Sequence, residues 1–401
     1  MDKQIFYGER LKEALDIRVK KMTELADETG ISKQSLSLYA NNNNTPPYEN
    51  VVKIAQALNF PYDFFMNQNV STAVTGNTYF RSQAAATKRN RNAQRIKLEY
   101  VAKLYEILLN YINFPELNLP DTSDVYLPDN ILDVDSDEAV KGIEELADKV
   151  RQYWEVGKGP VDNLQYILES NGIIVTGFKD VDTHIDAFSQ QINVNGKVVY
   201  VIALAIGDKP IERLRFDMAH ELGHILMHIW GEKNEYVPRD EFNAREKQAN
   251  MFASALLLPQ ATFSRNVSAY PSNVDFYKSL KKKWRVSIQA MMYRTRQLGI
   301  ISANQFQYMM RIVSKNGWRT KEPGDVPGQL KDTIFQGAID LLLDGGYLSR
   351  NELIHEFSQN GVIFSQNDLE NLMCLRSGTL DPESKVISFL TVKQKKLKTP
   401  K

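Results

Sequence analysis

The stretch Pro210-Ile-Glu-Arg-Leu-Arg-Phe-Asp-Met-Ala-His-Glu-Leu-Gly-His-Ile-Leu-Met-His228 decides how the rest of the chain is read. Ile211, Leu214, Met218, Leu222, Ile225 and Ile229 recur at intervals of three and four, the period of a helix with one buried face. Pro210 suits an early helical position. His220 and His224 stand four apart, so both imidazoles leave the helix on one side and reach a single ion. Imidazole suits zinc and needs no thiolate chemistry. Glu221 sits beside the metal but outside the ligand pair, where a general base takes a proton from an attacking water. A catalytic zinc takes three protein ligands and keeps one position open. The helical segment Ala244 to Ala253 offers Glu246 as the third ligand, and Asn250, four residues on, as a hydrogen-bond partner for a ligand imidazole. Glu241 competes with Glu246 but precedes the apolar-periodic part. His228 lies four after His224. A helix rises about 6 Å over four residues, too far for three successive histidines to hold one ion comfortably, so His228 reads as a supporting residue beside the site.

With these residues on the page the chain resembles the ImmA/IrrE-type metallopeptidases. The resemblance is carried by Arg215-Phe216, Ala219-His-Glu-Leu-Gly-His224, His228, and Glu246-x-x-Ala249-Asn250-x-Phe252-Ala253 leading to Leu256-Leu-Leu-Pro259. Trp284 to Ala290, Leu298 to Ser302, Gly317-Trp-Arg, Glu322-Pro-Gly324 and Tyr79-Phe-Arg-Ser82 look similar too, so it covers roughly residues 79–325. Asp217 departs from it, standing where a small hydroxyl residue is commoner. The resemblance implies a thermolysin-like catalytic core and a role in regulated proteolysis or transcriptional response.

Upstream of the motif, Gly172 to Phe178 and Gly196 to Ile206 are β-branched, Gly-bounded runs that read as strands. The run Lys197–Ile206 is a candidate sheet edge facing the cleft, able to pair with a substrate backbone. His184 precedes the edge strand and carries no catalytic assignment; His355 reads as a surface residue. A helix is expected from Asp137 to Trp154, capped by Ser136. Residues 68–78 read as a polar linker. Residues 79–97 carry Arg81, Lys88, Arg89, Arg91, Arg95 and Lys97 with no acid.

Residues 1–67 look all-helical and are similar to the Cro/CI-type repressor domain. Leu11 to Leu15 lies on a first helix, and Met22 to Gly30 reads as a second, with Thr23 as candidate cap and Gly30 at the sharp turn. Ser32 caps a third helix, Lys33 to Ala40, which Asn41–Asn44 and Pro46-Pro47 stop. Ala26, Ile31, Leu36, Ile54 and Leu58 form the expected small core. The helix after Ser32 is the expected recognition helix, with Ser32, Lys33, Gln34, Ser37 and Asn41 facing DNA and Lys33, Gln34 and Ser37 reaching base edges. Eight Lys/Arg against nine Asp/Glu leave this head near neutral, which predicts weak phosphate affinity on its own.

The whole chain, 401 residues with 49 basic and 49 acidic side chains, has no net field to attract nucleic acid; that role must be local. Cys374 is the only cysteine, which excludes an intramolecular disulfide and a thiolate zinc finger and fits a reducing cytoplasm. The Met1 to Arg10 segment is charged where a signal peptide is apolar, and the run Val198–Ile206 is too short to span a bilayer. The Lys-rich tail from Val392 to Lys401 reads as a solvated end.

The expected architecture is α+β: a helix-turn-helix head (1–67), a linker and basic helical connector (68–120), a zincin-like metallopeptidase core with a small, mostly antiparallel sheet (121–322), and a helical C-terminal part (323–401). The expected function is zinc-dependent cleavage of a protein partner, such as a repressor, by an enzyme that also binds DNA and dimerises on it, controlling transcription or a stress, mobile-element or phage response. Two alternatives stand beside it: a non-hydrolytic zinc-sensing regulator, and a protease-type toxin or phage-defence effector held by an antitoxin. Membrane attachment is not expected.

Overall fold

The computed structural model describes residues 5–68, 74–80, 88–179, 187–228 and 237–381. His184, Ile229, the Arg81-Ser82 end of the Tyr79–Ser82 motif, Arg81 of the basic stretch and the Lys-rich tail lie outside the described residues.

The head is five helices: α1 Gly8–Ile17, α2 Met22–Thr29, α3 Lys33–Ala40, α4 Tyr48–Leu58 and α5 Tyr62–Met66. Lys21, not Thr23, stands at the start of α2, and its amide donates to Glu24 (2.6 Å). Gly30 closes α2 at φ +69°, a conformation that suits a residue without Cβ. The Ser32 hydroxyl accepts from the Ser35 amide and starts α3. Ile31, Leu36, Ile54 and Leu58 are buried as expected; Ala26 is half-buried against them.

Strand β1, Val74–Phe80, begins inside the stretch 68–78 read as a linker and runs two residues past it; its Thr, Gly and Asn content hid it. Helix α6 (Lys88–Leu108) follows, then α7 (Asp137–Tyr153), with Ser136 capping as expected, and α8 (Leu164–Ser170). β2 (Ile173–Phe178), β3 (Ala187–Val194) and β4 (Lys197–Ala205) lead into α9 (Ile211–Met227) and α10 (Arg239–Leu257). Helices α11 (Gln260–Val267), α12 (Val274–Trp284), α13 (Ile288–Gln297) and α14 (Ala303–Lys315) complete one side of the molecule; α15 (Ile334–Asp344), α16 (Arg350–Gln359) and α17 (Gln366–Met373) return to the other.

The four strands form one sheet in the order β1-β3-β4-β2, antiparallel except for the parallel β2–β4 pair. β3 and β4 join through Asn195-Gly196, both at positive φ, the two-residue turn that matches strand twist. β4 is therefore central. Residues 200–205 pair with β2 and residues 197–204 with β3. The expectation that Lys197–Ile206 is a free edge fails, because both of its backbone sides are taken.

Alternation along the strands divides two cores. Ile173, Val175, Ala187, Ile202 and Leu204 face α7 to α14. Ile174, Phe178, Phe188, Ile192, Val199 and Val201 face the head, α6 and α15 to α17, which share one cluster. Behind the sheet, Phe364 packs against Phe60, Phe64 and Tyr100 at ring-centroid separations of 5.4, 6.0 and 4.6 Å. Arg10, fully buried, donates to the Tyr100 hydroxyl (2.7 Å) and the carbonyls of Asn67 (3.0 Å) and Gly361 (3.3 Å). Arg18 bridges Asp368 at 2.7 Å. No helix among the described residues is long and apolar enough to cross a membrane.

Candidate metal centre

α9 and α10 build the centre. Between the two histidines stands Gly223, and a Cβ there would meet Phe252 Cδ1 at 3.0 Å and Ala249 Cα at 3.3 Å. The missing side chain lets α10 come close enough for Glu246 to reach across. His220 Nε2 and His224 Nε2 face each other at 2.9 Å, and Glu246 lies 3.5 Å from the first and 3.3 Å from the second. Among the described residues these three are the group that brings its ligand atoms within 4.8 Å of one another.

The donor set fits a divalent metal. Ligand atoms about 2.0–2.1 Å from a tetrahedral ion stand about 3.3 Å apart, close to the Glu–His separations here. Two buried imidazole nitrogens and a carboxylate converging on one point are a donor set that a divalent cation satisfies. Burial, the largest influence, holds the His224 imidazole well below its usual range, so it stays neutral and able to ligate. For Glu246 burial pushes upward, yet the two imidazoles against it outweigh burial and hold the carboxyl at about 2, so it is ionised.

The outward ring nitrogens are held too. His220 Nδ1 lies 3.1 Å from Asn250 Oδ1, so with His220 Nε2 kept for the metal Nδ1 is the donor to that oxygen. His224 Nδ1 lies 2.8 Å from His228 Nδ1, and His228 Nε2 lies 3.1 Å from Gln248 Oε1. With His224 Nε2 kept for the metal, one proton arrangement satisfies this chain: His224 donates to His228, and His228 donates to Gln248. Burial holds His228 near 4, so it is neutral as that arrangement requires. Glu241 ion-pairs with Arg245 instead of joining the cluster.

Glu221 is fully buried, and its Oε2 accepts from the Ser189 hydroxyl on β3 at 2.6 Å. Ser189 and Gln248 were not singled out from sequence. β3 reads as polar at Ser189-Gln-Gln191, although Phe188, Ile192 and Val194 alternate up to an Asn-Gly turn, which was the available signal. Asp217 pairs with Lys209 at 3.5 Å. Glu322 accepts from the amides of Ile288 (2.7 Å) and Gln289 (3.0 Å) and thereby caps α13. A cavity of about 1080 Å³ opens at the far end of α9, lined by Glu212, Arg215, Lys281 and Arg285, but no residue of the histidine cluster lines it.

Ser32, Lys33, Gln34, Ser37 and Asn41 are all exposed on one side of the head. Lys12 donates to Asn41 Oδ1 (2.8 Å).

Residues 171–296 match the model of the IrrE N-terminal-like domain, of the peptidase class, and residues 8–70 match a helix-turn-helix domain. Comparison with curated proteins finds no match for the chain. The two matches fall on the metal centre and on the exposed α3. α6, α7 and the helices after α13 lie outside both.

Proposed function

We propose that this chain, an IrrE N-terminal-like domain joined to a helix-turn-helix domain, is a zinc-dependent endopeptidase that cuts a regulatory protein, such as a repressor, at the DNA to which its head holds it. The observation that carries this reading is the approach of His220, His224 and Glu246 with the Glu221 carboxylate beside them. His220, His224 and Glu246 hold the metal; Asn250 and His228 orient the two imidazoles. When bound, the metal supplies Lewis-acid polarisation of the scissile carbonyl and lowers the pKa of an attacking water. Glu221 takes the proton of that water and delivers it to the leaving amine. Ser189 fixes one oxygen of Glu221 and so sets the orientation of the carboxylate. The head binds DNA through Ser32, Lys33, Gln34, Ser37 and Asn41, as a dimer on two half-sites. Tethering raises the local concentration of proteins bound nearby.

The purified chain is expected to carry about one zinc. Ala at His220, His224 or Glu246 lowers metal content, and full zinc in Glu246→Ala would remove that residue from the ligand set. Glu221→Gln keeps zinc and fold but loses hydrolysis by roughly 10²–10⁴-fold; wild-type cleavage by this variant would end the peptidase reading. One observation favours a second reading, a zinc-sensing regulator that cleaves nothing: His220, Glu221 and His224 have no solvent exposure. Metal binding that alters DNA affinity equally in wild type and Glu221→Gln would favour it.

A further inference from the structure

Glu221 is fully buried, so a substrate backbone that reaches its carboxylate has to take the place of something that now covers it. Something at the cleft edge has to leave. The strand beside Glu221 is β3, whose Ser189 touches it, and whose inner side is already paired with β4. Its outer side is paired with β1: Thr78 opposite Gln190, Tyr79 opposite Ser189, Phe80 opposite Phe188.

Strands in a sheet lie about 4.7–4.9 Å apart. A chain in the β1 position is one spacing from Ser189. A chain added outside β1 would be two spacings away, roughly 10 Å, beyond the reach of a water held by Glu221. The β1 slot is therefore the one that brings an extended backbone to the reacting groups, and the protein fills it with its own residues.

Three features mark β1 as a replaceable occupant. Its register breaks between Thr75 and Thr78, so the ladder is interrupted. Its sequence, Val-Thr-Gly-Asn-Thr-Tyr-Phe, has no charge or proline, the devices that usually guard an edge strand. And it is an excursion: the chain leaves the head at Asn67, whose carbonyl Arg10 holds, and is back against the head at Asn92, which donates to Asp16 at 2.8 Å. The head's attachment survives if the strand between is displaced.

We propose that Val74–Phe80 is a self-supplied strand occupying the substrate slot, and that the substrate is an extended segment of another protein which must replace it by main-chain pairing with β3. This rests on the peptidase reading. Specificity then lies in which proteins offer a β-forming segment near the bound head, more than in a side-chain code.

The test uses full-length, zinc-loaded protein in a Glu221→Gln background, with fluorescein-labelled reduced casein as the extended chain. One variant adds Thr78→Pro; a second replaces residues 74–80 with a Gly/Ser stretch of equal length. Both are expected to speed hydrogen exchange at Ala187–Val194, to bind casein at least tenfold more tightly, and to regain protection there when casein is added. Unchanged exchange at Ala187–Val194 overturns the proposal, and so does equal casein affinity. Restoring Glu221 separates the two readings: an opened variant that binds casein but never cuts it sinks the peptidase and leaves the strand exchange standing.

Discussion

Asn250 and Gln248 on α10 and Ser189 on β3 do related work, each fixing a group of the centre or its immediate support. Partners of this kind typically matter by 10–100-fold in metal affinity or activity. Asn250→Ala is expected to weaken zinc affinity by about that factor, measured by competition with a chelator, with little change in thermal stability. Ser189→Ala should leave zinc content intact and lower kcat about tenfold; a fall in zinc content instead would place Ser189 in metal retention. Glu169 offers a separate test. Burial raises its carboxyl to about 7, against the hydrogen bonds from the Ile334 amide and Gln165. The folded state thus prefers the protonated form. Its contribution is fully present below the unfolded value near 4.5 and is lost as pH rises through 7, roughly 3 kcal/mol in all. Glu169→Gln should match wild type in urea melts at pH 4.5 and be more stable at pH 8; equal curves at both would refute the shift.

At the scale of elements, what was legible follows from how much each segment states by itself. α9 announces its period and its His220–His224 pair, and α10 its Glu246 and Asn250 spacing, so the convergence of these side chains was legible in the sequence. The order of strands was not. β4 has the composition of a buried strand, but composition does not say which neighbours it has, and β2 pairs with it across an intervening strand and hairpin. β1 was unreadable because Gly76 and Asn77 mimic a linker, and its partner lies more than a hundred residues away. Val201→Pro checks the corrected topology. In a central strand it breaks a ladder and leaves a buried partner unsatisfied, so the variant should fail to fold, as read by circular dichroism. A folded, zinc-binding Val201→Pro protein would contradict the strand order.

For the whole molecule, the sheet acts as a partition, with the metal-holding helices in front and a composite of head and C-terminal helices behind. The domain reading from sequence treated head and tail as separate ends; their shared cluster around Phe364 and Arg10 was hidden because no local pattern records a contact across 300 residues. Phe364→Ala is expected to cost about 3–5 kcal/mol and to loosen the head, seen as faster protease cleavage within residues 5–68. DNA recognition should survive intact packing, since Lys33 and Gln34 face outward. Lys33→Ala with Gln34→Ala should weaken specific binding far more than nonspecific binding; equal losses would make both phosphate contacts.

The composite behind the sheet also sets a timetable. A ribosome adds roughly 5–20 residues per second, so the first helices wait about a quarter of a minute to a minute for Phe335 to Leu380, the residues that complete their cluster. The helices that carry His220, His224 and Glu246 are translated by Leu257, and the helices packed against them by Lys315. A nascent chain therefore passes through a stage in which its front half can close on an ion while the head is still unmoored. That stage ends once residues 335–380 are made and can join the cluster.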